Sequence, residues 1–478
     1  MREDKREEKD VLWKAADKLR GSVDASQYRD FVLGLVFLRY VSVSSGDGGF
    51  RVPDGARWAD VTAAAAPEGR GRVGARIDAA MDAIMEANPS LAGVLPRIFG
   101  REGVDQRRLA ELVGLIDDVR FAGTRDVFGE VYEYFLERFA RAEGKRGGEF
   151  YTPSSVVKLL VEVLEPFRGR VYDPCCGSGG MFVQAERFVL SHRGRRDDIA
   201  VYGQEANQRT WRLAKMNLAV HGIEGDLADR WADTFYEDVH PDLQADFVLA
   251  NPPFNMSDWY RSPGDPRWKY GVPPAGNANF AWIQHIVAKL APGGRAGVVM
   301  ANGSMSSRQS AERAIRAALV EAGLVSCIVA LPGQLFRTTP IPSCLWFLDR
   351  PADDSGAAGG GRDGVLFVDA RAMGAMVDRT ERVLTDADIA RIAGAYRSWR
   401  DGAHVDAPGF SRAVSLDEIR SHDHVLTPGR YVGAAAPDAG DEPAADRVER
   451  LTKELLAQFE ESQRLDQVVR RELGRLRE

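Results

Sequence analysis

The chain has 478 residues, enough for two or three domains with their own cores, and its hydrophobic content of 44% and charged content of 28% are those of ordinary globular proteins. The densely charged start, Met1 to Asp10, is not a secretory signal, and the apolar run from Phe31 to Leu38 is far too short to span a membrane. A net charge of −7 argues against a protein that coats nucleic acid unaided, because non-specific DNA affinity comes mainly from Lys and Arg. A locally basic cleft or a partner chain can still provide the binding to DNA.

The first part of the chain, residues 1–142, lacks strand alternation and is predicted to be helical. Apolar residues recur at spacings of three and four in five segments. These segments are Asp10–Leu19, Ser26–Val41, Val73–Asn88, Arg107–Ile116 and Arg125–Ala142. Because this region carries no catalytic constellation, we expect an N-terminal helical domain that docks a partner or DNA.

Residues 143–433 are predicted to form a second domain. From about residue 148 to 350 the pattern alternates strands with helices, which predicts an α/β fold with a doubly wound parallel sheet. The predicted strands are 170–173, 200–204, 246–250, 294–301, 325–331, 343–349 and 364–369, with a weaker one near residue 230. The strands at 325–331 and 343–349 are separated by Pro332 to Pro342. We expect these two strands to form an antiparallel pair at the edge of the sheet.

The end of the chain is predicted to be a linker and a long helix. Residues 434–445 are rich in Ala, Asp, Gly and Pro, and residues 446–478 have a helical pattern. An apolar stripe, interrupted near Ser462, runs along that helix and consists of Val448, Leu451, Leu455, Phe459, Leu465, Val469, Leu473 and Leu476. Packing on its own domain is one possibility, but a long charged helix beyond a linker is more typical of assembly with another chain.

The tetrapeptide Asn251-Pro252-Pro253-Phe254 follows the predicted strand at 246–250. Two prolines cannot continue a sheet, so the chain must leave the strand in a stiff, extended turn. That turn fixes the Asn251 amide and the Pro252 carbonyl at a strand end, with the flat face of Phe254 beside them. Two acceptors beside an aromatic plane suit a planar group with an exocyclic amine, such as adenine. An ordinary polar turn would have the same sequence, so the neighbouring motifs decide.

A glycine-rich turn follows the first predicted strand, in the segment Val171 to Met181, and a helix is predicted to start near Met181. Glycines allow a close approach of the backbone to a ligand, and the helix start offers free N–H groups, although phosphate loops and tight turns share this pattern. Glu205 ends the next strand, where its carboxylate could accept two hydrogen bonds from a ribose diol. Asp233 follows the weak strand near 230 and could receive an adenine amine.

These residues together resemble the amino-methyltransferases that use S-adenosylmethionine, with Asn-Pro-Pro-Phe as the catalytic motif. Gly147 to Pro153, which reads Gly-Gly-Glu-Phe-Tyr-Thr-Pro, resembles the cofactor-closing motif of N6-adenine DNA methyltransferases. Three further segments, Asp126–Tyr134, Gly276–His285 and Leu426–Val432, resemble the modification (M) subunits of type I restriction–modification systems. The resemblance runs from about Lys9 to the C-terminus.

The resemblance implies a Rossmann-like, S-adenosylmethionine-dependent methyltransferase sheet with a helical N-terminal domain and a C-terminal helical tail. It implies transfer of a methyl group to adenine N6 in double-stranded DNA, with no metal, by the catalytic residues Asn251, Pro252, Pro253 and Phe254. The implied cofactor-binding residues are Glu149, Phe150, Tyr151, Thr152, Pro153, Ser154, Asp173, Gly177, Ser178, Gly179, Gly180, Glu205 and Asp233. It also implies two copies of the chain on one specificity subunit, with or without a restriction subunit, in the cytoplasm of a bacterium or archaeon that uses the system against phage.

The chemistry expected of this family rests on positioning. Adenine N6 is a poor nucleophile because its lone pair is delocalised into the ring. Hydrogen bonds from its N–H groups to the Asn251 side chain and the Pro252 carbonyl would favour a pyramidal nitrogen whose lone pair points at the methyl group. The base must first be flipped out of the duplex at a cost of a few kcal/mol, part of which stacking on Phe254 would recover.

Other interpretations remain open from the sequence. A solitary N6-adenine methyltransferase would need a target-recognition domain, for which residues 351–478 are too short and too helical. An inactive scaffold in a DNA-defence complex is disfavoured by the intact set Asp173, Glu205 and Asn251, and protein-glutamine methyltransferases lack the segment at Gly147. Cytosine C5 methyltransferases use a Pro-Cys nucleophile, but Cys175 lies inside the glycine turn, so we interpret it as a packing residue.

Two basic clusters are candidate contacts for DNA. The first, Arg138 to Arg146, precedes the Gly-Gly-Glu-Phe segment, and an ordinary solvated surface would explain it equally well. The second interleaves basic and aromatic residues: Trp259, Tyr260, Arg261, Arg267, Trp268, Lys269 and Tyr270. Exposed aromatics among arginines would suit stacked bases and the DNA backbone. The four cysteines suggest a reducing interior rather than a disulfide framework. Because no Cys-x-x-Cys pair or His cluster offers metal-ligand spacing, zinc is not expected.

Overall fold

The computed structural model describes residues 13, 25–44, 49–67, 72–118, 125–143, 151–336, 341–352, 364–434 and 444–475. These residues form two compact units, one up to Val432 and the other from Gly433. No helix in the described part of the chain is long and apolar enough to cross a membrane.

The N-terminal part of the first unit is helical, as predicted. Its helices are α1 (Ala25–Val43), α2 (Trp58–Ala65), α3 (Val73–Ala87), α4 (Gln106–Asp118) and α5 (Arg125–Glu143). Four of the five helices predicted from apolar spacing are confirmed, and the fifth, at 10–19, lies outside the described residues apart from Trp13. The sequence did not predict α2, which is a single short helix with two buried side chains, Trp58 and Val61.

The rest of the first unit is built around a nine-stranded sheet. Its strands are β1 (Gly169–Asp173), β2 (Ile199–Gly203), β3 (Gly225–Asp226), β4 (Ala245–Ala250), β5 (Leu290–Ala301), β6 (Val325–Ala330), β7 (Ser343–Asp349), β8 (Val365–Asp369) and β11 (Ser411–Val414), and a separate pair is β9 (Ala375–Met376) with β10 (Arg382–Val383). The surrounding helices are α6 (Ser154–Leu164), α7 (Gly180–Ser191), α8 (Gln208–His221), α9 (Asn279–Lys289), α10 (Ser310–Glu321), α11 (Asp386–Arg400) and α12 (Leu416–Ser421).

The strand order is β11-β8-β6-β7-β5-β4-β1-β2-β3. The pairs from β5 through β4, β1 and β2 to β3 are parallel, and β7 is antiparallel to both β5 and β6. The predicted antiparallel pairing of β6 with β7 is therefore confirmed. Its predicted position at the edge is wrong, because β8 pairs with β6 and β11 pairs with β8 on the far side.

The weak strand predicted near residue 230 is also wrong. The third parallel strand is β3, at Gly225–Asp226, and residues 231–240 form turns. The acidic and small residues around Asp233 close a tight turn instead of extending a strand.

The parallel half of the sheet brings three motifs to one edge. Asp173 is the last residue of β1, Glu205 lies two residues after β2, and Asn251 directly follows β4. Because β1 pairs with β4 on one side and with β2 on the other, the carboxyl ends of all three strands lie side by side.

The N-terminal helices pack on α8, the helix that follows Glu205. A Cβ atom at Gly129 of α5 would lie 2.5 Å from Cε1 of His221 at the end of α8, so the two helices approach closely only because residue 129 is glycine. The Tyr40 hydroxyl of α1 donates to the Ala219 carbonyl of α8 over 3.2 Å. The helical part and the sheet part therefore share one interface.

In the described part of the second unit the chain forms one helix, α13 (Ala444–Arg475), which confirms the predicted terminal helix. Its apolar side chains are exposed: Val448, Leu451, Leu455, Leu456, Phe459 and Leu465. The predicted stripe residues Val469, Leu473 and Leu476 lie outside the part of the chain whose side chains are described.

Candidate active site

One of the two polar atoms of the Asn251 side chain has a hydrogen-bond partner among the described residues. Its Nδ2 donates a hydrogen bond to Thr152 Oγ1 over 3.0 Å, which joins the turn after β4 to the segment before α6. Its Oδ1 is buried and accepts no hydrogen bond from the described residues. A buried acceptor without a partner costs about 1–3 kcal/mol, so this oxygen is suited to a ligand that brings an N–H group.

The turn around Asn251 is fixed by packing and by α9. Pro252 is buried, Pro253 is exposed, and Phe254 is half-buried, with its ring edge-on to Phe336 at a centroid distance of 6.0 Å.

Asn255 and Asn279 form a reciprocal pair below that turn. The Asn255 N–H donates to Asn279 Oδ1 over 3.0 Å, and Asn279 Nδ2 donates to Asn255 Oδ1 over 2.9 Å. Asn255 has a φ of +53°, a conformation that asparagine tolerates better than most residues. The sequence analysis assigned no role to Asn279, although this residue lies in the segment Gly276–His285 that resembles M subunits.

Asp173 shapes the glycine-rich turn after β1. Its Oδ1 accepts a hydrogen bond from the Cys175 N–H over 3.0 Å. Burial raises the pKa of this carboxyl to about 7, opposed by the Cys175 N–H and reinforced by the nearby negative charge of Glu205. Gly177 and Gly179 have φ values of +56° and +79°, which other residues rarely adopt. The turn therefore follows the course that the glycine pattern predicts.

Glu205 links the end of β2 to the same turn. Its Oε2 accepts from the Gly177 N–H over 3.1 Å, and its Oε1 accepts from the Asn207 N–H over 2.8 Å. Burial raises the pKa of Glu205, and these backbone N–H groups lower it. A carboxylate oxygen can accept two hydrogen bonds, so Glu205 retains capacity for two hydroxyl donors.

Asp233 lies in a turn that is attached to the end of β1. Its Oδ1 accepts from the N–H groups of Phe235 and Tyr236, at 2.8 and 3.0 Å, so it caps the turn. The Thr234 hydroxyl donates to the Pro174 carbonyl over 2.6 Å, which holds this turn against the glycine-rich segment. Asp233 thus lies near the predicted edge of the sheet, but it belongs to a turn and not to a strand.

The segment before α6 borders a cavity of about 500 Å³. Tyr151, Thr152 and Ser154 line it from this side, and Ser178 and Gly180 of the glycine-rich turn line it from another. Pro153 immediately precedes α6, and burial raises the pKa of Tyr151, so its hydroxyl stays protonated. Glu149 and Phe150 lie outside the described residues.

The second basic and aromatic cluster does not form the exposed platform that its sequence suggested. Trp268 is buried, and the Arg267 guanidinium points inward, where it forms a bidentate ion pair with Asp265. Arg267 also donates to the carbonyls of Thr234 and Phe235 at 2.8 and 3.0 Å. The apolar content of the segment is used for its own packing, and Tyr260 is its most exposed aromatic ring.

His285 completes this buried network. Arg267 donates to its Nδ1 over 3.1 Å, and its Nε2 lies 3.2 Å from the Tyr172 hydroxyl on β1. Burial, together with the positive charge of Arg267, lowers the pKa of His285 to about 3, so the ring is neutral. His221 is likewise buried on α8 with its pKa lowered to about 3. Both histidines are therefore structural residues.

The two cysteines of the glycine-rich turn are not nucleophiles. Burial and the nearby carboxylates of Asp173 and Glu205 raise the pKa of both Cys175 and Cys176 well above the usual range. Their thiols therefore stay protonated, and the Pro-Cys pattern is a coincidence of packing residues.

Comparison with known proteins identifies the family. A family model described as N-6 DNA Methylase matches residues 123–439, and one described as HsdM N-terminal domain matches residues 9–119. The chain belongs to the N-6 DNA methylase family. It is 47% identical to the type I restriction enzyme HindI methylase subunit of Haemophilus influenzae, over 84% of this chain and 92% of that protein. It is 35% identical to the MjaIX methylase subunit of Methanocaldococcus jannaschii, over 97% of this chain and 90% of that protein.

Solved structures share the fold of this N-6 DNA methylase. The type I methyltransferase subunit from Streptococcus thermophilus superposes with a TM-score of 0.75 at 24% identity, and covers 90% of this chain and 99% of its own. The predicted methyltransferase fold is thereby confirmed. With its family and its relatives, the chain is an adenine-specific DNA methyltransferase of the type I modification-subunit class. This membership excludes the protein-glutamine alternative and favours a subunit over a solitary enzyme.

Proposed function

We propose that the edge formed by β1, β2 and β4 binds S-adenosylmethionine and a flipped adenine, and that Asn251 acts directly on the adenine amine. The observation that carries this proposal is the buried Asn251 Oδ1, which lacks a hydrogen-bond donor among the described residues. The amide orientation supports it, since Nδ2 is committed to Thr152. An exocyclic amine at this oxygen would remove the cost of the unpaired acceptor.

The chemistry of the donor set fits the proposed cofactor. Glu205 would accept the ribose hydroxyls, with its carboxylate already oriented by Gly177 and Asn207. The glycine-rich turn, Gly177 to Gly180, would pass close to the ligand at the start of α7, and Asp233 would take part at the adenine end. Tyr151, Thr152, Pro153 and Ser154, with Glu149 and Phe150, would close over it. When bound, S-adenosylmethionine supplies an electrophilic methyl group.

The residues around Asn251 would prepare the target amine. Asn251 Oδ1 and the Pro252 carbonyl would accept its two N–H groups and favour a pyramidal nitrogen, while Pro253 stiffens the turn. Phe254 would stack on the flipped base and offset part of the cost of unstacking. Positioning by these groups, without a covalent intermediate, would carry the rate.

We further propose that DNA recognition depends on partner chains. The relatives are subunits of type I restriction enzymes, and this chain is acidic overall with an exposed apolar stripe on α13. Residues 1–142 would dock DNA or a partner, residues 143–433 would catalyse, residues 434–445 would be the linker and residues 446–478 would bind a specificity subunit. Two copies per specificity subunit, and a restriction subunit in addition, would act on double-stranded DNA in the cytoplasm.

The experiment measures methyl transfer from labelled S-adenosylmethionine to DNA, with and without the specificity subunit. We expect methyl transfer by the complex. Asn251→Ala should lower the rate of transfer at least about 100-fold at nearly unchanged cofactor affinity, because the target amine is no longer held in position for the reaction. Transfer by Asn251→Ala within a few-fold of wild type would remove Asn251 from the mechanism. Efficient sequence-specific methylation by the chain alone would favour a solitary enzyme, and cofactor binding without any transfer by the complex would favour an inactive scaffold.

A further inference from the structure

A second cavity, of about 340 Å³, lies where the N-terminal helices meet the sheet part of the first unit. It is lined by α1, by the loop between α3 and α4, and by α8. Gln208, the first residue of α8, lies three residues after Glu205, so the cavity adjoins the edge of the sheet where the proposed ligands bind. The charged residues in its lining are Asp30, Arg101, Glu102, Arg209 and Arg212.

Three arginines from two parts of the chain converge on this cavity. Arg101 lies on the loop of the helical part, whereas Arg209 and Arg212 lie three residues apart on one face of α8. Burial lowers the pKa of the Arg212 guanidinium, Asp30 raises it, and the positive charges of Arg101 and Arg209 lower it further. Like charges at this spacing repel each other, and an anion between them would stabilise the arrangement.

The carboxylates of the cavity do not balance this positive charge. Asp30 forms an ion pair with Arg29 over 3.4 Å and lies 3.9 Å from Arg209. Glu102 is exposed, where water and salt screen its charge. Among the described residues at this cavity, four arginines thus share two carboxylates, in a chain whose net charge is −7.

Backbone carbonyls orient two of these arginines. Arg212 Nε donates to the Gly93 carbonyl over 2.8 Å, and Arg101 Nε donates to the Arg97 carbonyl over 3.2 Å. A guanidinium has five N–H donors in a planar fork, and each of these bonds uses one of them. The rest of each fork matches the oxygens of a phosphate group, which arginine binds in a bidentate manner.

The exposure of the arginines favours an extended ligand over a small enclosed anion. The Arg209 side chain is 50% exposed, and Arg101 is exposed on its loop. Double-stranded DNA would have to lie across this edge of the sheet for an adenine to reach Asn251. Because DNA affinity comes largely from Lys and Arg that neutralise phosphates, an acidic chain needs a locally basic site of this kind.

We propose that the cavity binds a phosphate group of the DNA backbone, held by Arg101, Arg209 and Arg212. The proposal rests on the proposed function, because it requires DNA at this edge of the sheet. It names the contact through which the N-terminal helical part would dock DNA. Since phosphates carry no sequence information, this contact would position the duplex without selecting its sequence.

The test measures DNA binding by the complex with the specificity subunit, using fluorescence anisotropy at several salt concentrations without cofactor. In the double variant Arg101→Gln and Arg212→Gln, the slope of log K against log salt should become shallower by about 1 for each copy of the chain, since one phosphate contact contributes about 0.9. Affinity for the recognised duplex and for an unrelated duplex should fall by the same factor. An unchanged slope, or a loss confined to the recognised duplex, would overturn the proposal.

Three single variants locate the effect. Arg101→Lys keeps the charge and should keep the slope. Arg101→Gln changes only an exposed side chain and should still weaken both duplexes, which covers the case in which the double variant fails to fold. Arg107→Gln is the matched control, because Arg107 is an exposed arginine on α4 that pairs with Glu111 over 3.6 Å and lies outside the cavity lining. A change of slope in Arg107→Gln as large as in the double variant would overturn the assignment to this cavity.

A last measurement separates this inference from a free ligand and from the proposed function. Inorganic phosphate is titrated into the full chain by calorimetry. Saturable phosphate binding that the double variant loses, with an unchanged DNA slope, would assign the cavity to a free phosphate-bearing molecule and overturn the DNA contact. If the wild-type complex binds no DNA, the proposed function fails together with this inference. If it binds DNA with the same salt dependence as the double variant, only the role of the cavity fails.

Discussion

At the scale of single residues, the site depends on a side chain that is half satisfied. Asn251 donates through Nδ2 to Thr152 and keeps a buried Oδ1 without a donor among the described residues. Folding a chain with such a group costs stability, and a ligand that pairs it restores that stability. We therefore expect the folded chain to be less stable without a ligand at the proposed site than with one.

Asp173 makes the stability of the folded chain depend on pH. Its pKa rises from 3.8 to about 7 in the folded chain, mainly through burial, so folding favours the protonated carboxyl. The stabilisation from the bound proton is fully present below pH 3.8 and is lost as the pH rises through about 7.

We therefore predict that Asp173→Asn flattens the pH dependence of the unfolding free energy between about pH 4 and 7. The asparagine Oδ1 can still accept from the Cys175 N–H, so the turn is preserved. Urea unfolding of the ligand-free chain across this pH range measures the effect. Asp233→Asn is the matched control, because an asparagine Oδ1 can likewise still accept the backbone N–H groups of that turn. An unchanged pH profile in Asp173→Asn would contradict the raised pKa.

At the scale of elements, one arginine joins several segments of the site. Arg267 lies in the loop between the Asn251 turn and α9, and it bonds the turn after Asp233 and His285 of α9. Since the Thr234 hydroxyl in that turn donates to the Pro174 carbonyl, the loop on the proposed target side is connected to the strand on the proposed cofactor side. We therefore assign Arg267 a positioning role, because the hydrogen bonds of its guanidinium go to these protein segments.

We predict that Arg267→Lys lowers kcat for DNA methylation by about 10-fold or more while the dissociation constant of the cofactor changes little. Lysine keeps the charge but cannot reproduce the planar fork of hydrogen bonds. Arg261→Lys is the matched control, because Arg261 lies in the same loop and donates to a single carbonyl, that of Pro273. A parallel loss of cofactor affinity and kcat in Arg267→Lys would indicate general unfolding instead of positioning.

The elements also show what the sequence could and could not predict. The strands β1, β2 and β4 were predictable because each is a short buried run that ends at a glycine, acid or proline signal. The prediction of a strand near residue 230 was wrong because Asp233 caps a turn. No local sequence pattern distinguishes an aspartate that caps a turn from one at the end of a strand. The orientation of Arg267 and Trp268 could not be predicted, because alternation of basic and aromatic residues does not tell which face is buried. The arginine-lined cavity was missed because Arg101 and Arg212 are far apart in the sequence and come together only in the fold.

At the scale of the whole molecule, α13 carries the exposed apolar surface expected of an assembly helix. Leu451, Leu455 and Phe459 lie at spacings of four residues and are about half exposed, at 47%, 55% and 57%. Spacings of three and four place these side chains on one face of the helix. Substitutions at these positions therefore test the proposed partner surface directly.

We predict that the double change Leu451→Glu and Leu455→Glu abolishes co-purification with the specificity subunit. Two charges in an apolar interface would have to be desolvated, whereas cofactor binding by the chain should be unaffected. Ala457→Glu, on the opposite face of the helix, should leave the complex intact. Light scattering during gel filtration measures the masses, and an intact complex of the double variant would exclude this face as the partner surface.

The placement of β7 has a consequence for how the protein is made. Because β7 pairs with both β5 and β6, which do not pair with each other, a nascent chain that ends before Ser343 exposes an unpaired edge on each of them. Unpaired edges are sites of aggregation, and long-range strand pairing is slow. Synthesis must therefore pass Asp349 before the middle of the sheet can close, so premature termination in this stretch would yield an aggregation-prone fragment. The strands β1, β2 and β4, which carry the proposed site residues, are already complete at that point.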